Sequence, residues 1–259
     1  MKLSIITVNL NNAAGLQKTI ESVVSQTFTD FEFLVIDGGS TDGSVEVIKR
    51  YADKITWWVS EPDWGIFHAM NKGILQAKGD YCQFLNSGDW FLQPDGLQQV
   101  FDYQPQVDIC YCDVQAEKEK RIFDDRLSLL TFFEGTISHQ ASFIKRSLFA
   151  KHGLYNEAFK IVSDWEFYIK TIIIAQCSYQ HIPVTLIYFD INGISCYKEN
   201  GDLNEREREK VINAYFPMMF EVYQRFRTMQ FALRYYNGLR IIRWRSKIGK
   251  VLRLFKQYR

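Results

Sequence analysis

No part of this chain has the length of apolar sequence that a membrane-spanning helix requires. Its 259 residues contain no run that approaches the roughly 18–20 apolar residues of such a helix. The opening segment, MKLSIITV, is too short for a signal peptide and is typical of a first buried strand. We therefore expect a cytoplasmic protein that is neither secreted by such a signal nor integral to a membrane.

Cysteine pairs and glycine-rich cofactor motifs are also lacking. The five cysteines (82, 110, 112, 177 and 196) are an odd number, and neither a CxxC pair nor a His-rich zinc spacing is present. Free thiols in a reducing cytosol are therefore expected. The GxGxxG fingerprint of dinucleotide-binding proteins does not follow the first strand. An EF-hand loop is excluded because Gly39 replaces its third-position acid.

A net charge of +1 gives the whole chain no overall attraction to a polyanion, but the charge is unevenly placed. Residues 221–259 contain eleven Lys and Arg and one acidic residue, whereas residues 1–220 contain 20 basic and 29 acidic residues. The tail is therefore near +10 and the body near −9. Such asymmetry indicates contact with a membrane surface or a nucleic acid.

Strand and helix patterns alternate through the first half of the chain. Strands are predicted at 3–8, 31–36, 55–59 and 81–85, and helices at 13–24, 45–51, 66–77 and 94–103. Repeated βα units predict an α/β fold, with a mostly parallel, Rossmann-like sheet flanked by helices. The later pattern is less regular, with strands at 108–117, 141–145 and 182–189 and helices at 147–152 and 164–174.

Domain boundaries follow from these patterns. We expect one domain over residues 1–200, made of two halves at 1–105 and 106–200. Residues 201–259 are predicted to be a helical extension that becomes increasingly basic.

The segment Asp37–Gly43, DGGSTDG, links a buried strand to a helix. A carboxylate at a strand end, followed by glycines, is typical of a ligand-binding turn. Asp37 suits a uracil imide or a ribose hydroxyl. The simpler alternative is a strand-to-helix turn in which Ser40 or Asp42 caps the helix.

Three further motifs follow in order. They are EPDWGIFHAMNKG at 61–73, FLNSGD at 84–89 and SDWEF at 163–167. Together with the Asp37 turn they resemble the family 2 glycosyltransferases with the GT-A fold, in particular those that build bacterial surface polysaccharides. The resemblance covers roughly residues 1–195.

The resemblance implies that residues 1–200 are a catalytic domain, with a nucleotide-binding half (1–105) and an acceptor-binding half (106–200). It also implies a nucleotide-sugar donor, its nucleoside contacted by Asp37. Other donor-binding residues are expected at the strand ends and on the 61–73 loop: Thr7, Asn9, Gly39, Asp63, Asn71, Asn86, Ser87 and Gly88. The family usually carries Asp-x-Asp-Asp where this chain has Asn86–Asp89, so Asp89 inherits the role of ligand to Mg²⁺ or Mn²⁺. Losing two acids should weaken metal binding without donor. The alternative is a capped turn before Pro94.

The catalytic base implied by the resemblance is Asp164, at the start of a predicted helix whose dipole favours its ionised form. The alternative is that Ser163 or Asp164 is only an N-cap. His139 and Gln140 match a frequent His-Gln pair, which implies contact with the diphosphate or the acceptor; a buried structural histidine is the alternative. Trp165 could stack against a sugar.

These assignments together predict a metal-dependent, inverting glycosyltransferase of the hexosyl or N-acetylhexosaminyl class. It would use a donor that is most simply UDP-linked and a hydroxyl of a saccharide or lipid-linked saccharide. A nucleotidyltransferase and a non-catalytic sugar-nucleotide or glycan-binding protein remain the alternatives. The former is disfavoured because Asn9–Asn12 stand where its glycine- and arginine-rich loop would be.

The basic tail and one loop complete the predictions. Residues 221–259 interleave Lys and Arg with aromatic and aliphatic residues, which is typical of a helix lying at an anionic membrane surface. A solvated helix packed on the catalytic domain is the alternative, and no nucleic-acid module is recognisable. Residues 188–195 could form a lid around Gly193, or an ordinary loop.

Overall fold

The computed structural model describes residues 2–117, 119–191, 200–233, 235 and 236. The chain divides into two compact units, Met1–Arg208 and Glu209–Arg259. The predicted boundary at residue 200 remains a prediction. Cys82, Cys110, Cys112 and Cys177 are buried free thiols, while Cys196 lies outside the described residues.

The first half of the chain folds as strands and helices that alternate. The strands are β1 (Leu3–Asn9), β2 (Phe31–Asp37), β3 (Trp57–Ser60) and β4 (Tyr81–Phe84). The helices are α1 (Ala13–Val24), α2 (Ser44–Arg50) and α3 (Ile66–Gln76). Because β1 and β4 are buried at every position, these strands read as continuous apolar runs rather than as alternating patterns.

The second half contains shorter and less regular elements. The strands are β5 (Trp90–Phe91), β6 (Ile109–Ala116), β7 (Glu119–Arg121), β8 (Ser142–Lys145) and β9 (Tyr179–Phe189). The helices are α4 (Gly96–Asp102), α5 (Leu129–Glu134), α6 (Arg146–His152), α7 (Ser163–Tyr168) and α8 (Gly201–Tyr215). The predicted helix at 164–174 is α7 followed by a π-helical segment, Ile169–Ile174. The sequence did not predict β5 or α5.

The strands form one sheet in the order β3-β2-β1-β4-β8-β6-β9-β5, with β7 paired to β6. The strands of the first half are parallel, as predicted, and their register sets Asn9 beside Asp37 and Asp37 beside Ser60. The later part is mixed, because β8, β7 and β5 run antiparallel to their neighbours.

This mixed pairing brings residues of the second half to the edge where β1 to β4 end. Since β8 is antiparallel to β4, the residues before Ser142, including His139, lie at that edge. Since β6 is antiparallel to β8 and β9 is parallel to β6, β9 ends at the same edge, at Asp190. Because ligands of α/β sheets bind at the carboxyl ends of parallel strands, a ligand-binding site is expected at this edge.

The second unit is helical in its described part. Residues 220–233 follow a short 3₁₀ turn, Pro217–Met219, and are all helical. Among the described residues, no helix is long and apolar enough to span a membrane.

Candidate active site

The Asp37 turn is built around a carboxylate that is fully buried, at 0% exposure. Its Oδ1 accepts from Asn9 Nδ2 at 2.7 Å and Ser40 Oγ at 2.6 Å. Its Oδ2 accepts from Ser60 Oγ at 2.6 Å and from the backbone N–H groups of Gly39 and Ser40. Burial alone would raise the pKa of Asp37, but the donors of Ser40, Ser60 and Asn9 outweigh it and lower the pKa.

Because hydrogen-bond donors of the protein already occupy the Asp37 carboxylate, a nucleoside has no free oxygen lone pair to reach. A carboxylate offers about four lone-pair sites, and five donors already converge on this one. A nucleoside would either displace the hydroxyl of Ser40 or Ser60 or be read through them. The predicted nucleoside contact of Asp37 therefore stays a prediction, now with those two hydroxyls as its intermediaries.

Asp63 approaches the same turn from the loop that follows β3. A Cβ added to Gly38 would lie 2.6 Å from Asp63 Oδ2, so only glycine allows this approach. Asp63 Oδ1 accepts from the N–H of Gly65 at 2.9 Å, which fixes the loop. Gly39 has φ +82° and bends the chain so that its N–H reaches Asp37. The structure thus brings Asp63, Gly39 and Asp37 together.

Three side chains that were predicted to bind the nucleotide-sugar donor form hydrogen bonds within the protein. Thr7 is fully buried and donates to the carbonyl of Leu85 at 2.7 Å. Asn71 is buried and exchanges two hydrogen bonds with the backbone of Tyr155, at 2.9 and 3.0 Å. Asn9 orients Asp37. The Thr7 and Asn71 side chains therefore have structural partners within the protein, and Asn9 supports Asp37. Their predicted contacts with the donor stay predictions.

The Asn86–Asp89 turn is held against α1 by a residue that the sequence did not single out. Thr19 Oγ1 donates to the carbonyl of Asp89 at 2.7 Å and accepts from the N–H of Gly88 at 3.0 Å. Gly88 has φ +104°, which disfavours any other residue there. A second clamp joins Asn12 Nδ2 to the carbonyl of Ser87 at 3.2 Å. The backbone of the predicted motif is thus fixed to the start of α1.

Asp89 is 4% exposed and receives a hydrogen bond from the backbone N–H of Asp190, at 2.8 Å from Oδ1. The Gln140 amide also hydrogen-bonds this carboxylate. Burial raises the pKa of Asp89 to about 7, despite these donors and the nearby His139. Gln140 therefore interacts with the predicted metal ligand. Its predicted contact with the diphosphate or the acceptor stays a prediction.

The chemistry of this corner fits a divalent cation. No cluster of three or more His, Cys, Asp and Glu in the described residues could by itself hold a metal. Asp89 is nevertheless a buried carboxylate without a cationic hydrogen-bond partner, and the Asp190 carboxylate lies 3.0 Å from a Cβ placed on Gly88. Two hard oxygen donors, completed by a diphosphate and water, are what Mg²⁺ and Mn²⁺ prefer.

Asp164 begins the first turn of α7 and is 8% exposed. Its Oδ2 lies 2.9 Å from His139 Nδ1. The N-cap of α7 is Val162, and no side chain caps the helix there, so the N-cap interpretation of Ser163 and Asp164 is wrong. The Glu207 carboxylate instead accepts from the N–H groups of Lys160, Ile161 and Val162.

Trp165 is buried in contacts with other parts of the protein. It is 1% exposed, and its Nε1 donates to the carbonyl of Phe132 at 2.9 Å. The Arg208 guanidinium lies over its ring at 4.7 Å. The predicted stacking of Trp165 on a sugar stays a prediction, and it would require the ring to leave these contacts.

The strand-end rule could have found one site residue that the sequence analysis missed. Asp190 directly follows the predicted strand at 182–189 and reaches Asp89, just as Asp37 directly follows the predicted strand at 31–36. Tyr188 stacks on Trp90 with ring centroids 3.8 Å apart and anchors this end of β9. Residues 192–195 of the predicted lid at 188–195 lie outside the described residues, which resume at 200.

Comparison with known proteins identifies the family of this chain. The profile of "Glycosyl transferase family 2" matches residues 4–160. An uncharacterized glycosyltransferase of Mycobacterium tuberculosis is 34% identical, over 76% of this chain and 78% of its own. A PGL/p-HBAD biosynthesis glycosyltransferase of Mycobacterium bovis is 32% identical, over 74% and 78%.

Solved structures share the fold at lower sequence identity. Staphylococcus aureus TarS 1-349, in complex with UDP-GlcNAc, aligns with TM-score 0.67 and 19% identity over 82% of this chain and 67% of its own. The mannosyltransferase PcManGT of Pyrobaculum calidifontis, in complex with GDP-Man and Mn²⁺, aligns with TM-score 0.61 and 16% identity over 85% and 64%. The predicted GT-A fold is therefore confirmed.

Proposed function

Since this chain belongs to glycosyl transferase family 2, we propose that it is an inverting, metal-dependent enzyme of polysaccharide or glycolipid assembly. It transfers a hexosyl or N-acetylhexosaminyl group from a UDP-linked donor to a saccharide hydroxyl. The observation that carries the proposal is the meeting of Asp37, Asp89 and Asp164 at one sheet edge, with His139 in contact with the last.

Asp164 is the proposed base. It is a carboxylate held by one hydrogen bond at Oδ2, which leaves Oδ1 to take a proton from the acceptor hydroxyl. The oxygen freed of that proton attacks the anomeric carbon as the bond to the nucleoside diphosphate breaks, so the configuration inverts in one displacement. A positioned base of this kind contributes roughly 10²–10⁴-fold to the rate.

Donor binding is assigned to the opposite side of the same edge. The buried Asp37 turn, with Ser40 and Ser60 as its outward hydroxyls, is the proposed nucleoside site. Support for uridine comes from TarS, whose structure contains UDP-GlcNAc. Asp63 lies beside Gly38 of the proposed nucleoside site. It is proposed, together with Ser87 and Gly88 next to Asp89, to flank the sugar and diphosphate.

Asp89, with Asp190, is the proposed holder of Mg²⁺ or Mn²⁺. When bound, the cation offsets the negative charge that develops on the departing diphosphate. The buried carboxylate and its raised pKa support this role, because a neighbouring cation would favour its ionised form. The Mn²⁺ of the PcManGT complex gives further support by analogy of fold.

The acceptor is proposed to be a lipid-linked saccharide at the inner face of the cytoplasmic membrane. Support comes from Val222, Met229 and Leu233, three of the exposed apolar residues of the second unit. They are spaced so that they lie on one side of the helix at 220–233. The basic charge of residues 221–259 would draw this side toward anionic headgroups.

A panel of UDP-, GDP- and dTDP-linked sugars tests the proposed function directly. With purified protein, Mn²⁺ and simple saccharide acceptors, we expect release of UDP that depends on one UDP-sugar, and a product with inverted anomeric configuration by NMR. Binding of sugar nucleotides without hydrolysis or transfer would instead identify a binding protein. Release of pyrophosphate from a nucleoside triphosphate would identify a nucleotidyltransferase.

A further inference from the structure

His139 lies between the proposed base and the donor-side turn and contacts both. Its Nδ1 is 2.9 Å from Asp164 Oδ2, and its Nε2 is 3.1 Å from Asn86 Nδ2. Its side chain is 17% exposed and that of Asp164 is 12% exposed, so solvent competes little with these contacts. Both partners are distant from His139 in sequence. Asn86 lies in the turn after β4, and Asp164 lies in α7.

With Asp164 ionised and the Asn86 amide nitrogen facing the ring, the donors and acceptors in this chain of contacts have one order. An ionised carboxylate only accepts, so Nδ1 carries the hydrogen that points at Asp164. Nε2 of the neutral ring then has a lone pair, which accepts from the Asn86 amide N–H. In the described part of the chain no donor meets Asn86 Oδ1, which is buried. The amide is therefore oriented by His139 and not by a partner of its own carbonyl.

Backbone hydrogen bonds hold the turn that carries His139 and the turn that carries Asn86. Residues His139–Ala141 form a 3₁₀ turn directly before β8, and the carbonyl of His139 accepts from the N–H of Ser142. On the other side, the carbonyl of Asn86 accepts from the N–H of Asp89 at 3.0 Å. The ring therefore has a fixed position relative to both the donor-side turn and α7.

We propose that His139 is a positioning residue for the base, a role that rests on the proposed function. Its Nδ1–H holds Oδ2 of Asp164, so that Oδ1 is the oxygen that accepts the proton of the acceptor hydroxyl. The proton on Nδ1 stays there throughout, and Asp164 alone changes protonation. The bond from Asn86 to Nε2 fixes the tautomer, as a partner on one ring nitrogen does for the other.

This role replaces direct contact with the diphosphate or acceptor as the function of His139. Both ring nitrogens are engaged by protein groups, so a substrate would have to break one bond to reach the ring. The same geometry argues against His139 as the base itself, because the Asn86 amide occupies Nε2.

Two substitutions separate the two nitrogens. In His139→Asn, the amide nitrogen takes the place of Nδ1 and still donates to Asp164, but nothing replaces Nε2. In His139→Gln, the amide reaches the place of Nε2 and Asp164 loses its donor. His152→Asn is the matched control, since His152 lies beside Cys177, with Nε2 3.7 Å from its Sγ, and touches neither partner.

Turnover and UDP binding are then measured for all four proteins, with calorimetry for the binding. We expect His139→Gln to lower kcat by about 10–100-fold. His139→Asn should stay within about fivefold of the wild type, as should the control. UDP affinity should be unchanged in all of them. Equal loss of kcat in His139→Asn and His139→Gln, or no loss in either, would overturn the positioning role.

A spectroscopic measurement provides a readout that does not depend on turnover. In ¹⁵N spectra of wild-type histidine side chains at mildly alkaline pH, we expect His139 to show a protonated Nδ1 and an unprotonated Nε2. The signal is assigned by its absence in His139→Asn. The opposite tautomer would refute the proposal. A wild-type chain that binds UDP-sugars and shows the expected tautomer but transfers nothing would contradict the proposed function instead.

Discussion

Asp37, Asp89 and Asp164 differ in the number of hydrogen-bond donors that surround each carboxylate. Asp37 is surrounded by five donors, and the net effect lowers its pKa. Asp89 is buried with fewer donors, and its pKa rises to about 7. Asp164 accepts from His139 alone among the side-chain contacts of the described residues. The first is therefore suited to hold a turn, the second to hold a cation and the third to take a proton.

Asp164→Asn should remove transfer without affecting donor binding. The amide keeps the size of the side chain but cannot accept a proton, so we expect kcat to fall by about 10²–10⁴-fold. Turnover with the preferred donor, beside calorimetry with UDP, measures both effects. Asp102→Asn, on the exposed side of α4, is the control. Substantial residual transfer would eliminate Asp164 as the base.

Asp89→Ala should make nucleotide binding independent of the metal. In Mn²⁺ or Mg²⁺, we expect the affinity for UDP to fall by about tenfold or more, since metal–oxygen contacts supply several kcal/mol. In EDTA the variant and the wild type should bind alike. Asp95→Ala serves as the control, because Asp95 is exposed and makes no side-chain cap bond. Wild-type activity that EDTA leaves unchanged would contradict the metal assignment.

At the scale of the element, α8 holds the segment that carries the base. The Glu207 carboxylate accepts from three successive backbone N–H groups, Lys160 at 2.9 Å, Ile161 at 3.0 Å and Val162 at 3.3 Å. Arg208, the next residue, donates to the carbonyl of Phe132 at 3.4 Å. Because the chain enters α7 directly after Val162, these contacts fix where Asp164 lies.

Glu207→Ala should therefore cost both stability and rate. Three N–H groups, of which those of Ile161 and Val162 make buried hydrogen bonds, lose a charged acceptor. We expect the free energy of unfolding to fall by about 2–4 kcal/mol. The same variant should lose kcat while UDP affinity stays unchanged, which urea denaturation, turnover and calorimetry together would show. Asp202→Asn, an exposed change in the first turn of the same helix, should do neither. A stable Glu207→Ala protein with full kcat would show that α8 does not position the base.

The elements also show how far the sequence determines the structure. Hydrophobic periodicity predicted the first-half strands and helices within a few residues, because each is long enough to show its pattern. It missed β5, whose two residues gain their pairing only from β9, and it gave no sign of the π-helical turn after α7. Local patterns do not contain these tertiary effects.

In the candidate site, too, local sequence motifs marked some residues, whereas contacts between distant parts of the chain could not be predicted. Asp37, Asp89 and Asp164 were found because motif and strand-end position mark them in the sequence. The supporting contacts of Thr19 and Glu207 could not be predicted, since each depends on a partner 40 or more residues away. For the same reason, the sequence placed Trp165 and Asn71 in the site, although both are buried in contacts with the protein itself.

At the scale of the whole molecule, the opposed charges of body and tail invite a test with membranes. The full chain should co-sediment with vesicles containing anionic lipid, because each Lys or Arg near such a surface contributes about 1 kcal/mol before screening. Binding should weaken as salt rises, since screening shortens the range of these interactions. Removing residues 221–259 should abolish binding to vesicles and leave UDP binding intact.

Two neighbouring substitutions separate charge from apolar contact. Met229 and Thr228 are both exposed and adjacent on the helix, so glutamate at either changes the net charge equally. Only Met229 shares a side of the helix with Val222 and Leu233, and only that side would enter the interface. We therefore expect Met229→Glu to weaken vesicle binding more than Thr228→Glu does. Equal weakening would leave charge as the sole attraction, and equal sedimentation of the full and shortened chains would refute membrane contact through the tail.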